Sequence, residues 1–136
     1  MKTEAYLEQY HSLGKRINRL SREEITMRRY VTRLKNKNLA SQDIIEKIEQ
    51  RLENLQSYID KLYRFAAPLK QQITETIQSV ESREYQDLLL DIYINCHTFD
   101  QIASMRYLNL DTVERCHQAA IAMILLPEKP LNIREI

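Results

Sequence analysis

The chain carries a single glycine, Gly14, in 136 residues. Glycine alone reaches positive φ without steric cost, and an average composition would hold roughly 7% of it. Its near absence removes whole classes of fold and function. The G-x-G-x-x-G and G-x-x-x-x-G-K-[ST] loops that cradle phosphates cannot be written without glycines. Tight β-hairpins lean on the same residue. The length allows one domain, or one domain plus an extended arm, and excludes a TIM barrel. What remains is helix, so the expected fold class is all-α.

Hydrophobic spacing divides the chain. Tyr6, Tyr10, Leu13, Ile17, Leu20, Glu24, Met27, Val31 and Leu34 alternate by four and three, the 3.5-residue period of a coiled-coil seam. Glu24 is a polar break that either fixes register or yields locally to Ile25. Residues 35–41 lose the pattern and end in Ser41, a good N-cap. A second seam follows: Ile45, Ile48, Leu52, Leu55, Ile59, Leu62, Ala66, Leu69 and Ile73. Two seams joined by a short polar loop predict a long antiparallel helical hairpin over residues 1–80, each helix ~50 Å long. Such a pair buries one stripe and leaves Tyr30, Ile44, Tyr58, Tyr63 and Phe65 over. Self-association through the coiled coil would cover them; the plainer alternative is a wider monomeric core. Pro68 interrupts the second seam and predicts a kink or a helix restart, hence a hinge.

Residues 81–126 read as a compact bundle. Tyr85, Leu88, Leu89, Leu90, Ile92, Tyr93 and Ile94 form a dense apolar helix, interrupted at Asn95-Cys96-His97. Thr98-Phe99-Asp100-Gln101 is a capping box that opens a short helix, Phe99–Arg106. Asn109 caps the next, from Leu110 to about Leu125, which Leu126-Pro127 stops. Two short helices around a three- or four-residue turn predict a helix-turn-helix. Residues 127–136, with alternating apolar side chains, are expected to pack along the body or a neighbour without forming an element.

The net charge is only +1, but it is unevenly placed. Residues 1–40 hold ten basic and four acidic side chains, a balance of +6; residues 41–80 stand at −1 and residues 81–136 at −4. A basic amino end and an acidic carboxyl end are suited to head-to-tail or partner contacts.

The stretch Tyr93-Ile94-Asn95-Cys96-His97-Thr98-Phe99-Asp100-Gln101-Ile102-Ala103, then Thr112-Val113-Glu114-Arg115-Cys116-His117 and Ala120-Ile121, resembles the region-4-type helix-turn-helix of sigma factors. More closely it resembles the small phage late-gene regulators of the RinA/ArpU/LlgA type, which also carry a coiled coil ahead of the helix-turn-helix. The resemblance implies DNA binding near a phage late promoter and activation of packaging and structural genes. That family usually has glycine where Cys96 stands and again near Tyr107, so the turn Arg106-Tyr107-Leu108 is expected to differ in shape or to be strained.

On this reading Arg106 and Arg115 reach phosphate or guanine, and Asn109, Thr112, His117 and Gln118 meet phosphates or base edges. Each has a plainer role open to it: Arg115 as a solvated helix arginine, His117 as an internal hydrogen-bonding group. Asp111 and Glu114 lie on the same exposed side. They repel phosphate, although Asp111 also suits a helix N-terminus and a carboxylate can accept from cytosine N4. Cys116 falls on the buried side, as a core thiol. Lys15, Arg16, Arg19, Arg22, Arg28, Arg29 and Arg33 offer a second surface that either tracks a DNA backbone or is a solvated coiled-coil exterior.

The two Cys-His pairs, at 96–97 and 116–117, lack zinc-ligand spacing. No nucleophile–base motif is present, and His11 reads as outward-facing. The expectation is a non-enzyme with no cofactor or metal. No signal peptide or membrane span is visible; the chain reads as a protein of the bacterial host cytoplasm with reduced thiols. The leading functional reading is a phage-encoded transcriptional regulator that binds double-stranded promoter DNA as a homo-oligomer, with host RNA polymerase as a further partner. Two others stand beside it. One is a protein-binding module whose degenerate helix-turn-helix contacts host polymerase or a host defence factor. The other is a terminase small subunit, which requires a ring.

Overall fold

The computed structural model describes residues 1–136. It is all-helical: α1 (Thr3–Asn36), α2 (Gln42–Gln78), α3 (Arg83–Tyr93), α4 (Phe99–Arg106), α5 (Leu110–Ala122) and one 3-10 turn, Ile133–Glu135. Contacts between α1 and α2 pair early residues with late ones. The Tyr6 hydroxyl donates to Gln72 at 2.8 Å, Arg28 to Gln56 at 2.9 Å, and Lys35 pairs with Glu49 at 2.8 Å. The two helices therefore run in opposite directions. Ser41 caps α2 by accepting from the Ile44 amide.

The second seam is buried along most of its length, through Ile45, Leu52, Ile59, Leu62, Leu69 and Ile73. The first is buried only at its ends. Tyr6, Leu13, Ile17, Val31 and Leu34 are covered, while Leu20, Glu24 and Met27 are half-buried. Ile25 does not replace Glu24 in the seam; it is 50% exposed. Leu7 and Gln9 are buried off the seam, in the stretch of α1 against which the carboxyl-terminal half packs.

The core is correspondingly uneven. Thirteen buried residues, among them Tyr6, Leu13, Leu69, Ile73, Ile77, Leu89, Tyr93 and Ala120, join the start of α1, the end of α2, α3 and α5. Leu88, Ile102 and Val113 knit α3, α4 and α5 together. In the distal part of the α1–α2 arm the buried cluster is only three residues, Val31, Ile45 and Leu52, with Leu34 also covered. The molecule is a thick body carrying a thin arm.

Three expectations are corrected or narrowed. First, α2 is one helix through Pro68, which is exposed, so of the kink and the helix restart the restart is excluded. Neighbouring turns hold the helix although the ring removes one backbone donor. The chain turns at residues 79–82, where Ser82 caps α3. Second, α5 ends at Ala122 rather than Leu125. The amides of Met123 and Ile124 tighten onto Ala120 and Ile121, each at 3.1 Å. Third, the tail does pack along the body, but it also forms an element, the 3-10 turn capped by Asn132.

Three non-glycine residues occupy the left-handed region: Asn38 (φ 51), Cys96 (φ 58) and Tyr107 (φ 56). Each lies just past a helix end. At Asn38 and Tyr107 the next amide reaches back five residues, Leu39 to Leu34 at 3.1 Å and Leu108 to Ala103 at 3.0 Å, the closure of a Schellman end. Gly14 sits inside α1 with ordinary helical φ. The turn at Arg106–Leu108 thus keeps the conformation that favours glycine and carries the strain of a tyrosine.

Candidate nucleic-acid interface

The site residues read from sequence fall on two parts of the fold. The first is the α4–α5 pair. Thr98 and Gln101 form the expected capping box, with bonds of 3.1 and 2.8 Å, so α4 starts at Phe99. Ile102 is its one buried residue. Asn109 opens α5: its Oδ1 accepts from the Thr112 amide at 2.9 Å and from the Thr112 hydroxyl at 2.7 Å. Val113, His117 and Ala120 turn inward.

This arrangement separates the six candidates. Arg106 points into the fold, where its guanidinium donates to Asp91 at 2.7 Å between two partly covered side chains. The pair ties the last turn of α4 to α3. His117 is 5% exposed, so its side chain is not on the surface, and its placement there is corrected. Its Nε2 lies 2.6 Å from the Tyr93 hydroxyl, and its ring centroid is 5.0 Å from that of Phe99. Burial pulls the His117 pKa down, against the opposing pull of the Glu4 and Glu8 carboxylates. Burial likewise raises that of Tyr93, with Glu4 and Glu8 adding to it. Thr112 is half-buried and its hydroxyl is engaged by Asn109. Asn109, Arg115 and Gln118 are exposed, and Arg115 enters none of the four ion pairs of the fold.

The second part is the outer side of α1. Arg28 is held by Glu24 at 2.8 Å and by Gln56, and Arg16 donates to the Tyr58 hydroxyl at 3.4 Å. Arg19, Arg22, Arg29 and Arg33 have no ion-pair partner and are exposed. This basic stripe is on the arm, not on the α4–α5 unit.

Sequence reasoning missed the cleft between α1 and the α3–α5 unit. Glu4, Glu8, His11, Lys15, His97 and His117 line it together with Tyr93 and Gln118. All three histidines of the chain face this one cleft, and His11, read as outward, is half-buried here. Nδ1 of His97 is buried without a hydrogen-bond partner. Burial raises the Cys96 thiol pKa, with Lys15 opposing. Cys116 is partly buried against Leu88, Ile102 and Val113. No three His, Cys, Asp or Glu side chains come together as a metal-ligand group, and no helix is long and apolar enough to cross a membrane.

No family model, curated protein or solved structure matches this chain.

Proposed function

We propose that α3, α4 and α5 form a helix-turn-helix head that reads double-stranded DNA, carried on an α1–α2 hairpin, in a phage-type transcriptional regulator that acts as an oligomer. The observation that carries this reading is the division of α5 into two faces. Val113, His117 and Ala120 fix one face to the body, while Arg115 stands free on the outside behind the Asn109 cap and Gln118 is exposed where it lines the cleft toward α1. A helix anchored on one side and presenting an unpaired arginine on the other suits major-groove contact. Arg106 and His117 leave the contact set and become positioning residues. Arg106 holds the turn against α3, and His117 anchors α5 to α3 through Tyr93.

The test is fluorescence anisotropy with a selected pool from a randomised duplex library, titrated with salt. Binding that weakens about tenfold or more in Arg115→Ala, with a salt slope shallower by about one, supports the reading. No binding at low salt overturns it. A second reading is favoured by Asp111 and Glu114, both exposed on α5, because carboxylates oppose phosphate contact. In it the head is a degenerate helix-turn-helix docking on a basic protein such as a polymerase subunit. Retention of host RNA polymerase by the full chain, with no DNA binding, would select it.

A further inference from the structure

Two exposed surfaces have no partner within the fold, and they are opposite in charge. The first is the α4–α5 turn. Tyr107 is 96% exposed, and Met105, Leu108 and Leu110 are exposed by 51%, 41% and 42%. Tyr107 holds φ 56, a region that disfavours any residue but glycine. Glycine would close the same turn without strain, so what tyrosine supplies is its ring, projected into solvent. Asp111 and Glu114 follow on α5, exposed and outside every ion pair, and the nearby cation Arg106 is taken by Asp91.

The second surface is the outer flank of α1. Arg19, Arg22, Met27, Tyr30 and Arg33 share one shallow groove, in which Glu23 is the sole carboxylate. Tyr30 is 48% exposed. The groove lies on the part of the arm whose buried cluster is small, Val31, Ile45 and Leu52.

We propose that these are the two halves of one interface, in which the α4–α5 knob of one copy docks on the α1 flank of a second. The Tyr107 ring and Leu110 cover Met27 and Tyr30, and Asp111 and Glu114 meet the unpaired arginines. Because the halves are different surfaces, the contact is heterologous: each copy keeps one free half, and assembly proceeds to a ring or an open filament. Pairing of two arms through the same flank would instead set Arg19, Arg22 and Arg33 against like charge. The knob borders the DNA-reading face, since Asp111 and Glu114 lie on the same exposed side of α5 as Arg115; assembly is therefore measured without DNA, so that its failure and the failure of DNA reading are distinguishable.

Light scattering after size exclusion tests it on the full chain, from micromolar to near-millimolar concentration, at low and high salt. The mass is expected to rise with concentration and to fall with salt. Tyr107→Gly, which keeps the backbone, removes the knob. The double variant Arg22→Glu/Arg33→Glu removes the flank. Each alone should stay monomeric, with association weakened about tenfold or more, and circular dichroism should show both folded. Mixed, they should form a one-to-one dimer and nothing larger, because one brings an intact arm and the other an intact knob. A wild-type chain that stays monomeric throughout, a mixture that stays monomeric, or a Tyr107→Gly chain that assembles like wild type through arm-to-arm pairing would each overturn the proposal.

Discussion

The Tyr93 hydroxyl lies 2.6 Å from Nε2 of His117, and both side chains are buried. The bond links α3 to α5 across the core. It joins a phenol whose burial holds it protonated to an imidazole whose burial holds it neutral. Protonating His117 in the folded state would place a charge in a covered site, so its folded pKa sits below the ordinary value of about 6.5. The unfolded chain then binds more protons as pH falls through that value, and stability must decline with it. Stability from this group is complete above about pH 6.5 and is lost toward the lower folded pKa. Urea unfolding across the range should show that decline in wild type and a shallower one in His117→Asn. Equal slopes in the two chains would reject the assignment.

Tyr107 provides a stability prediction of unusual sign. Replacing an aromatic residue by glycine normally destabilises, yet here the ring is exposed and the backbone is left-handed. Tyr107→Gly should raise stability by about 1 kcal/mol, seen as a higher urea midpoint with unchanged slope. Asn38→Gly, at a residue that tolerates the same region, should change little. A loss of stability in Tyr107→Gly would mean that the ring is held by contacts within the fold.

Much of the local structure was legible. Ser41, Thr98 with Gln101, and Asn109 each cap the helix assigned to them, because capping is decided within four residues. The burial of His117 was also written in the chain: Val113, His117, Ala120 and Ile124 recur at helical spacing, and all are buried. The Arg106–Asp91 pair, fifteen residues apart, was not legible, since nothing local marks which carboxylate an arginine will meet. The three-histidine cleft is further still from local reading. It exists only because α1 packs against α3–α5, bringing His11 to a cleft shared with His97 and His117. At Pro68 the sequence left a kink and a restart both open, because a strong local rule stood against an apolar stripe that continues on either side; the structure excludes the restart.

Gln72 supports a prediction about the tail. Its Oε1 accepts from the Tyr6 hydroxyl at 2.8 Å and the Leu131 amide at 2.9 Å, and its Nε2 donates to the Lys129 carbonyl at 3.2 Å. Gln9 repeats the arrangement one step on, donating to Leu131 and accepting from Ile133, both at 2.9 Å. Two amide side chains thus hold the last ten residues as a neighbouring strand would. Gln72→Ala removes one clamp and leaves the Tyr6 hydroxyl with only a 3.5 Å contact to Thr76. It should lower stability by about 1–3 kcal/mol, and amide exchange at Leu131 should speed more than at Ile133, which Gln9 still holds. Uniform exchange across both would show that the clamps act as one.

Pro68 and Gly14 are the two residues whose propensities oppose the helices that contain them. Pro68 is exposed in α2 and lacks the amide that would bond to Arg64; mid-helix proline costs about 3 kcal/mol in a regular helix. Gly14 lies in α1, where an added Cβ would meet no atom within 4 Å, and glycine there costs roughly 0.5–1 kcal/mol against alanine. Both replacements by alanine should therefore stabilise, Pro68→Ala by more. The two sites share no side-chain partner, so the double variant should equal the sum to within about 0.5 kcal/mol. Chemical denaturation of the four chains measures all of this together. If Pro68→Ala is neutral or harmful, α2 bends at that point to follow the surface beneath Leu69 and Ile73, and a straight helix would uncover them.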